Sequence, residues 1–184
     1  MKKNYRCTAF FFAIIVSALL GYLLGFYSHG RIANRLVQNN HFELSQSSLF
    51  SDSVCDFLTG KDVKVQDTLA LKEKNLLVFW SPVCSYSKEF FLHKLNEKAV
   101  GVYCVPMTED IDYLKYYIEK RNIKYPQLML RSSQTIESVS ASSIVATPTF
   151  VVVDKNGKTL AQYVGTKEID EMIAFLYQEI QITN

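Results

Sequence analysis

Residues 79 to 90 read Phe79-Trp80-Ser81-Pro82-Val83-Cys84-Ser85-Tyr86-Ser87-Lys88-Glu89-Phe90. The run from Asn75 to Trp80 (NLLVFW) is apolar almost throughout and of strand length, the pattern of a strand covered on both faces. Beyond it, Phe91, Leu92 and Leu95 mark one face at helical spacing and predict a helix over residues 87–96. Cys84 therefore sits where a buried strand passes into a helix. Backbone N–H groups at a helix start favour a thiolate over a thiol, so the position predicts a lowered thiol pKa and a nucleophilic sulfur.

Working outward, the rest of the chain alternates short apolar runs with amphipathic stretches, the signature of an α/β domain around a mixed sheet. Upstream, Val63 and Val65 alternate with polar residues after the turn pair Thr59-Gly60, which predicts a hairpin. Downstream, Val100 to Met107 predicts a second buried strand, with Val100, Val102, Cys104 and Pro106 on one side. Thr108 with Glu109 and Asp110 predicts an N-cap and a helix through Arg121, its apolar face Ile111, Leu114, Tyr117 and Ile118. Leu128 to Leu130 suggests a short strand and Thr135 to Ile144 a weaker helix. Thr149 to Val153 (TFVVV), the turn DKNGK at 154–158 and Thr159 to Val164 predict an antiparallel edge pair, and Glu168 to Ile180 a closing helix. Pro148 stands immediately before TFVVV. X-Pro is the bond that takes the cis form readily, and a cis bond here would point a backbone edge toward the loop carrying Cys84.

With these elements in place, the sequence resembles the thioredoxin-like family and, within it, the membrane-tethered TlpA/ResA-like branch. The resemblance covers about Phe50 to Ile180. It rests on LTGKDV at 58–63, FW at 79–80, the cysteine turn, YP at 125–126, TPT at 147–149 and VVDKNGK at 152–158. It implies a central mixed sheet flanked by helices, thiol-disulfide exchange at Cys84, and a proline loop in which Thr147 and Pro148 hold the backbone of a partner. Trp80 and Tyr86 join them as partner-binding candidates, with Trp80 also read as a packing residue.

One departure bears on mechanism. The family's W-x-x-W-C-x-x-C pattern falls on Trp80, Val83, Cys84 and Ser87, so the motif here is C-x-x-S. A hydroxyl cannot perform the step in which the second cysteine resolves a mixed disulfide. Ser87 can only hydrogen-bond the Cys84 sulfur. Either Cys84 acts as a monothiol, or Cys55 or Cys104 resolves, Cys55 being the less constrained candidate. Cys104, in a predicted buried strand, reads as a core residue. His93 is too far along the helix to serve as a base for Cys84, and Ser81 replaces the Thr that a peroxiredoxin would carry.

The composition is that of an ordinary globular chain, 48% hydrophobic and 21% charged over 184 residues, which excludes a collagen-like or mainly disordered protein. Residues 1–35 hold five basic and no acidic residues, leaving 15 basic against 18 acidic in the remainder, so no cationic footprint marks a nucleic-acid binder. Residues 7–27 carry no charge over 21 positions, long enough to cross a bilayer, and end in GFYSHGR without a signal-peptidase pattern. The expected organisation is a cytoplasmic N-terminus (1–6), a transmembrane anchor (7–27), a linker (28–48) and the α/β domain (49–184). Lys2, Lys3 and Arg6 before the span orient the domain to the periplasm or cell exterior. Gly21 and Gly25 form a G-x-x-x-G pair read as ordinary small residues, and His29 and His41 lack partners at metal spacing.

The expectation is a single-pass membrane protein that engages extracytoplasmic cysteine-containing proteins through Cys84. A membrane or soluble thiol would act as donor, and neither cofactor nor metal is called for. The competing expectation is a redox-silent binding module that has kept the groove and lost the chemistry.

Overall fold

The computed structural model describes residues 42–51, 53–129, 144 and 146–178. The chain divides into two units, residues 1–39 and 40–184. The first lies outside the described residues, and with it the expected anchor and most of the linker; so does all but Ile144 of the helix expected at 135–144. Among the described residues no helix is long and apolar enough to cross a membrane.

A 3-10 turn (Leu44–Gln46) and a short helix α1 (Ser48–Ser51) lead into the hairpin β1 (Ser53–Asp56) and β2 (Lys61–Lys64). Val65 does not extend the hairpin as its alternation suggests. It opens helix α2 (Val65–Leu69) and is buried with Leu69 under the sheet. Then come β3 (Lys74–Trp80), α3 (Ser85–Phe90), β4 (Gly101–Pro106), α4 (Ile111–Arg121), β5 (Leu128–Met129), β6 (Thr149–Asp154), β7 (Thr159–Val164) and α5 (Ile169–Tyr177).

β3 is interior, in the order β4-β3-β6-β7, parallel to β4 and antiparallel to β6. A second, antiparallel sheet has the order β2-β1-β5, and a parallel bridge between Cys104 and Gln127 joins it to β4. Every residue of β3 is buried because both its faces are covered. Alternation sends Leu76, Val78 and Trp80 into one cluster, with Phe90, Leu114 and Met172 from the three longer helices, and Leu77 and Phe79 into the other, with Phe42, Leu49 and Leu69. Burying each such side chain is worth about 1.5–3 kcal/mol. The DKNG turn closes β6 to β7 with Gly157 at φ 81°, a conformation open to glycine without a Cβ clash.

Two helices depart from their predicted limits. α3 begins directly after Cys84 and ends at Phe90, six residues rather than ten. Adjacent helical positions point about 100° apart, and here Phe90 packs on Phe150 at 5.2 Å while Phe91 meets Trp80 edge-on at 4.8 Å. Regular helix stops where both aromatics turn into one core. α4 is capped by Asp110, whose carboxylate accepts from the Tyr113 N–H at 2.9 Å, rather than by Thr108. The charged acceptor wins the cap. Ile111, at the first helical position, stays 42% exposed while Leu114, Tyr117 and Ile118 are buried.

Candidate active site

Cys84 is the N-cap residue of α3, at the end of the loop that leaves the carboxyl edge of β3. Its side chain is half-buried, and it lies between Val83 and Tyr86, which are 75% and 63% exposed. Across from it the Thr147-Pro148 peptide is cis. The proline loop is held by the Gly165 N–H donating to the Pro148 carbonyl at 2.8 Å and by the Thr149 hydroxyl donating to the Ala146 carbonyl at 2.7 Å. The Thr147 carbonyl accepts from the Cys84 thiol at 3.2 Å, a contact over 63 residues of sequence.

Burial is the largest influence on Cys84 and pushes its pKa up. It is outweighed by donors to the sulfur: the Ser87 N–H and hydroxyl, the Thr147 side chain and the Tyr86 N–H, which together hold the thiol below its ordinary value. The Thr147 carbonyl works against them, since a thiol can donate to it and a thiolate cannot. Deprotonation therefore gives up one acceptor and gains several donors.

Ser87 is fully buried, and its hydroxyl oxygen accepts from the Ser81 N–H at 3.2 Å. That leaves its proton free to point at Cys84. Trp80 is also fully buried, out of reach of a partner molecule, and supports the loop from beneath. Its indole N–H donates to the Gln127 side-chain oxygen at 3.1 Å. The Gln127 amide nitrogen donates to the Tyr125 carbonyl at 2.8 Å, and its backbone N–H donates to Asp56 at 3.1 Å. Gln127 and Asp56 are site-supporting residues that pattern reading missed; a polar residue wedged between Tyr125-Pro126 and an apolar strand was the available signal.

The other thiols are not brought to Cys84. Cys104 is fully buried on β4; burial first of all raises its pKa, against a hydrogen bond from Gln127, and keeps it protonated. Cys55 is half-buried on β1, three strands away from β3 through β5 and β4. At about 4.8 Å per strand that is about 14 Å, whereas a disulfide needs Cα atoms within about 7 Å. The described cysteines are all free thiols. Among the described residues no group of three His, Cys, Asp or Glu could hold a metal ion.

A parallel strand pair with a cysteine turn at its carboxyl edge, facing a cis-proline loop, defines a thioredoxin-like protein. The sequence profile of the thioredoxin-like domain matches residues 62–179, and the chain belongs to that family. It is similar to the thiol-disulfide oxidoreductase ResA of Bacillus thuringiensis, and to that of Bacillus anthracis, with 22% identity over 186 aligned residues in each case, 96% of this chain and 97% of theirs. Among solved structures, the thioredoxin domain of a thiol-disulfide oxidoreductase from Bacteroides vulgatus superposes with a TM-score of 0.57 at 22% identity, covering 69% of this chain and 93% of that one. A secreted disulfide oxidoreductase from Mycobacterium tuberculosis superposes with a TM-score of 0.53 at 15% identity, covering 70% and 96%.

Proposed function

We propose that this chain is a membrane-anchored, extracytoplasmic thiol-disulfide exchange protein that works through one nucleophilic cysteine, Cys84. The observation that carries the reading is the half-exposed Cys84 sulfur 3.2 Å from the Thr147 carbonyl, among donors that favour its thiolate. The ResA relatives, matched along nearly their whole length, support the same class of chemistry. The apolar run at 7–27 supports the anchor, and the secreted mycobacterial oxidoreductase supports an extracytoplasmic address.

The Cys84 thiolate attacks one sulfur of a partner's disulfide. That bond breaks, a Cys84–partner disulfide forms, and the departing sulfur leaves as a thiolate that takes a proton from water. The S–S bonding pair leaves with the departing sulfur while a lone pair of Cys84 makes the new bond, so one disulfide replaces another, the Cys84 sulfur being oxidised as the leaving sulfur is reduced. Ser87 cannot complete the cycle and Cys104 is entombed. Release comes when a second thiol, the partner's own or a small-molecule donor, attacks the partner's sulfur and frees Cys84. Tyr86, Val83 and the Thr147-Pro148 loop form the surface on which the partner rests.

The test is to react the full chain with an oxidised peptide disulfide and follow the adduct by mass spectrometry. A mixed disulfide confined to Cys84, persisting until external thiol is added and absent from Cys84→Ala, is expected. Adduct formation no faster than with free cysteine favours the second reading, a redox-silent binding module, for which Ser87 in place of a second sulfur is the motivating observation. The anchor is checked by alkaline carbonate extraction of membranes together with labelling of Cys84 by an impermeant maleimide from outside. Release of the chain by carbonate, or labelling only after lysis, overturns it.

A further inference from the structure

Between the loop that follows α3 and the C-terminal end of α4 lies a cleft of about 230 Å³. Its apolar lining comes from Phe91, Ile123 and Tyr125, and Lys94, Arg121 and Lys124 stand around it as exposed cations against one carboxylate, Glu97. Among the described residues none of the three cations has a carboxylate oxygen within 4 Å; the ion pair Lys155–Glu73 lies elsewhere. The bias is local, since residues 36–184 carry 15 basic and 18 acidic side chains. Compensation of the α4 dipole accounts for Arg121, in the last turn, but not for Lys94, which belongs to the opposite wall, or Lys124, beyond the cap. The end carbonyls of α4 are already engaged, Ile118 and Glu119 accepting from the Asn122 and Ile123 N–H groups.

The near wall of the cleft is joined to Cys84 through α3. Phe91, on its near wall, follows Cys84 by seven residues, most of them in α3, so at about 1.5 Å per helical residue the two are separated by about 10 Å. An extended polypeptide covers about 3.3 Å per residue, so about three residues bridge that gap.

We propose that this cleft takes the carboxylates of an acidic segment of the partner polypeptide, about three or four residues from the cysteine that Cys84 engages. The proposal rests on the preceding functional reading for the identity of the partner and for the spacing from its cysteine. Carboxylates suit the site because its three cations are exposed and none is paired with a described carboxylate, Arg121 resting over the Tyr117 ring at 5.9 Å, while the apolar floor accepts the side-chain stems.

The test separates the cleft from the thiol chemistry. Full-length Cys84→Ala protein in a non-ionic detergent is titrated with a short, cysteine-free, fluorescent peptide rich in glutamate, and binding is read by anisotropy. Binding is expected, weakening as salt brings the screening length down to about 8 Å at physiological ionic strength. An otherwise identical glutamine peptide should not bind. Arg121→Glu with Lys124→Glu should weaken binding by on the order of tenfold or more, through loss of two exposed cation contacts and reversal of their sign. Lys61→Glu with Lys64→Glu makes the same change of net charge on the hairpin and should leave binding nearly intact. Equal losses in both double variants, at unchanged circular dichroism, would mean a general field rather than a site and overturn the proposal. So would failure of the Cys84→Ala protein to bind the acidic peptide. Neither result touches Cys84 chemistry, whose own test is the mixed disulfide.

Discussion

A single oxygen of the Asp56 carboxylate accepts the backbone N–H of Gln127 at 3.1 Å, across 71 residues of sequence, and the N–H of Leu58 at 3.2 Å. The other oxygen accepts the Thr59 hydroxyl at 2.7 Å. Because Gln127 in turn receives the Trp80 indole, this one carboxylate ties the N-terminal hairpin to the floor beneath the cysteine loop.

Removing that carboxylate leaves the buried Gln127 N–H without its acceptor and breaks two part-buried bonds, so Asp56→Ala should destabilise the fold by about 1–3 kcal/mol. Asp56→Asn keeps one acceptor oxygen and should cost clearly less. Urea unfolding monitored by Trp80 fluorescence reads both. An Asp56→Ala midpoint equal to wild type would mean that this carboxylate does not tie the hairpin to Gln127.

The donors around Cys84 set its acidity. The alkylation rate of the native chain should reach its plateau at a lower pH than a free cysteine does, because the folded thiol is held below its ordinary value. Ser87→Ala deletes one donor to the thiolate and should move the midpoint up while leaving the plateau rate similar. In stability terms a depressed thiol pKa favours the fold above the unfolded thiol's pKa, and that contribution fades as pH falls through the folded value. Identical midpoints for wild type and Ser87→Ala would deny the serine its role.

Ser87→Cys restores a second sulfur where the family carries one. Because residue 87 already contacts Cys84, the variant should form an internal disulfide on mild oxidation and reduce insulin faster than wild type. Two free thiols persisting after oxidation would contradict the geometry of the turn.

Cys104 should resist thiol reagents in the native state and react only on unfolding, as mapped by mass spectrometry of the labelled peptides. Burial keeps its thiol protonated well above the ordinary value of 9.0. The unfolded thiol ionises near that value, so unfolding gains ground as pH rises past it. Cys104→Ala lacks this part of the alkaline loss, though it starts less stable because it leaves a cavity. Parallel stability curves above pH 9.0 for the two proteins would refute the burial argument.

The strand-cysteine-helix passage was legible because its signals are local. An apolar run of strand length, a turn and a spaced apolar face all lie within about twenty residues, the scale on which periodicity operates. The β6–β7 hairpin and the closing helix were legible for the same reason: TFVVV, DKNGK and the Ile169, Met172, Leu176 spacing each specify an element without reference to distant contacts. Val65 and the end of α3 were not, since each was decided by which cluster its side chain joined.

What the amino-acid order alone settled was the kind of fold, the position of one sulfur at the head of a helix and the absence of a second three residues on. Only the folded chain decided which groups surround that sulfur. The Thr147 carbonyl, the floor of Trp80, Gln127 and Asp56, and the separation of Cys55 arise where strands distant in sequence become neighbours. Hydrogen bonds and strand spacing act through space, so their partners are fixed by tertiary packing and not by the intervals of a motif.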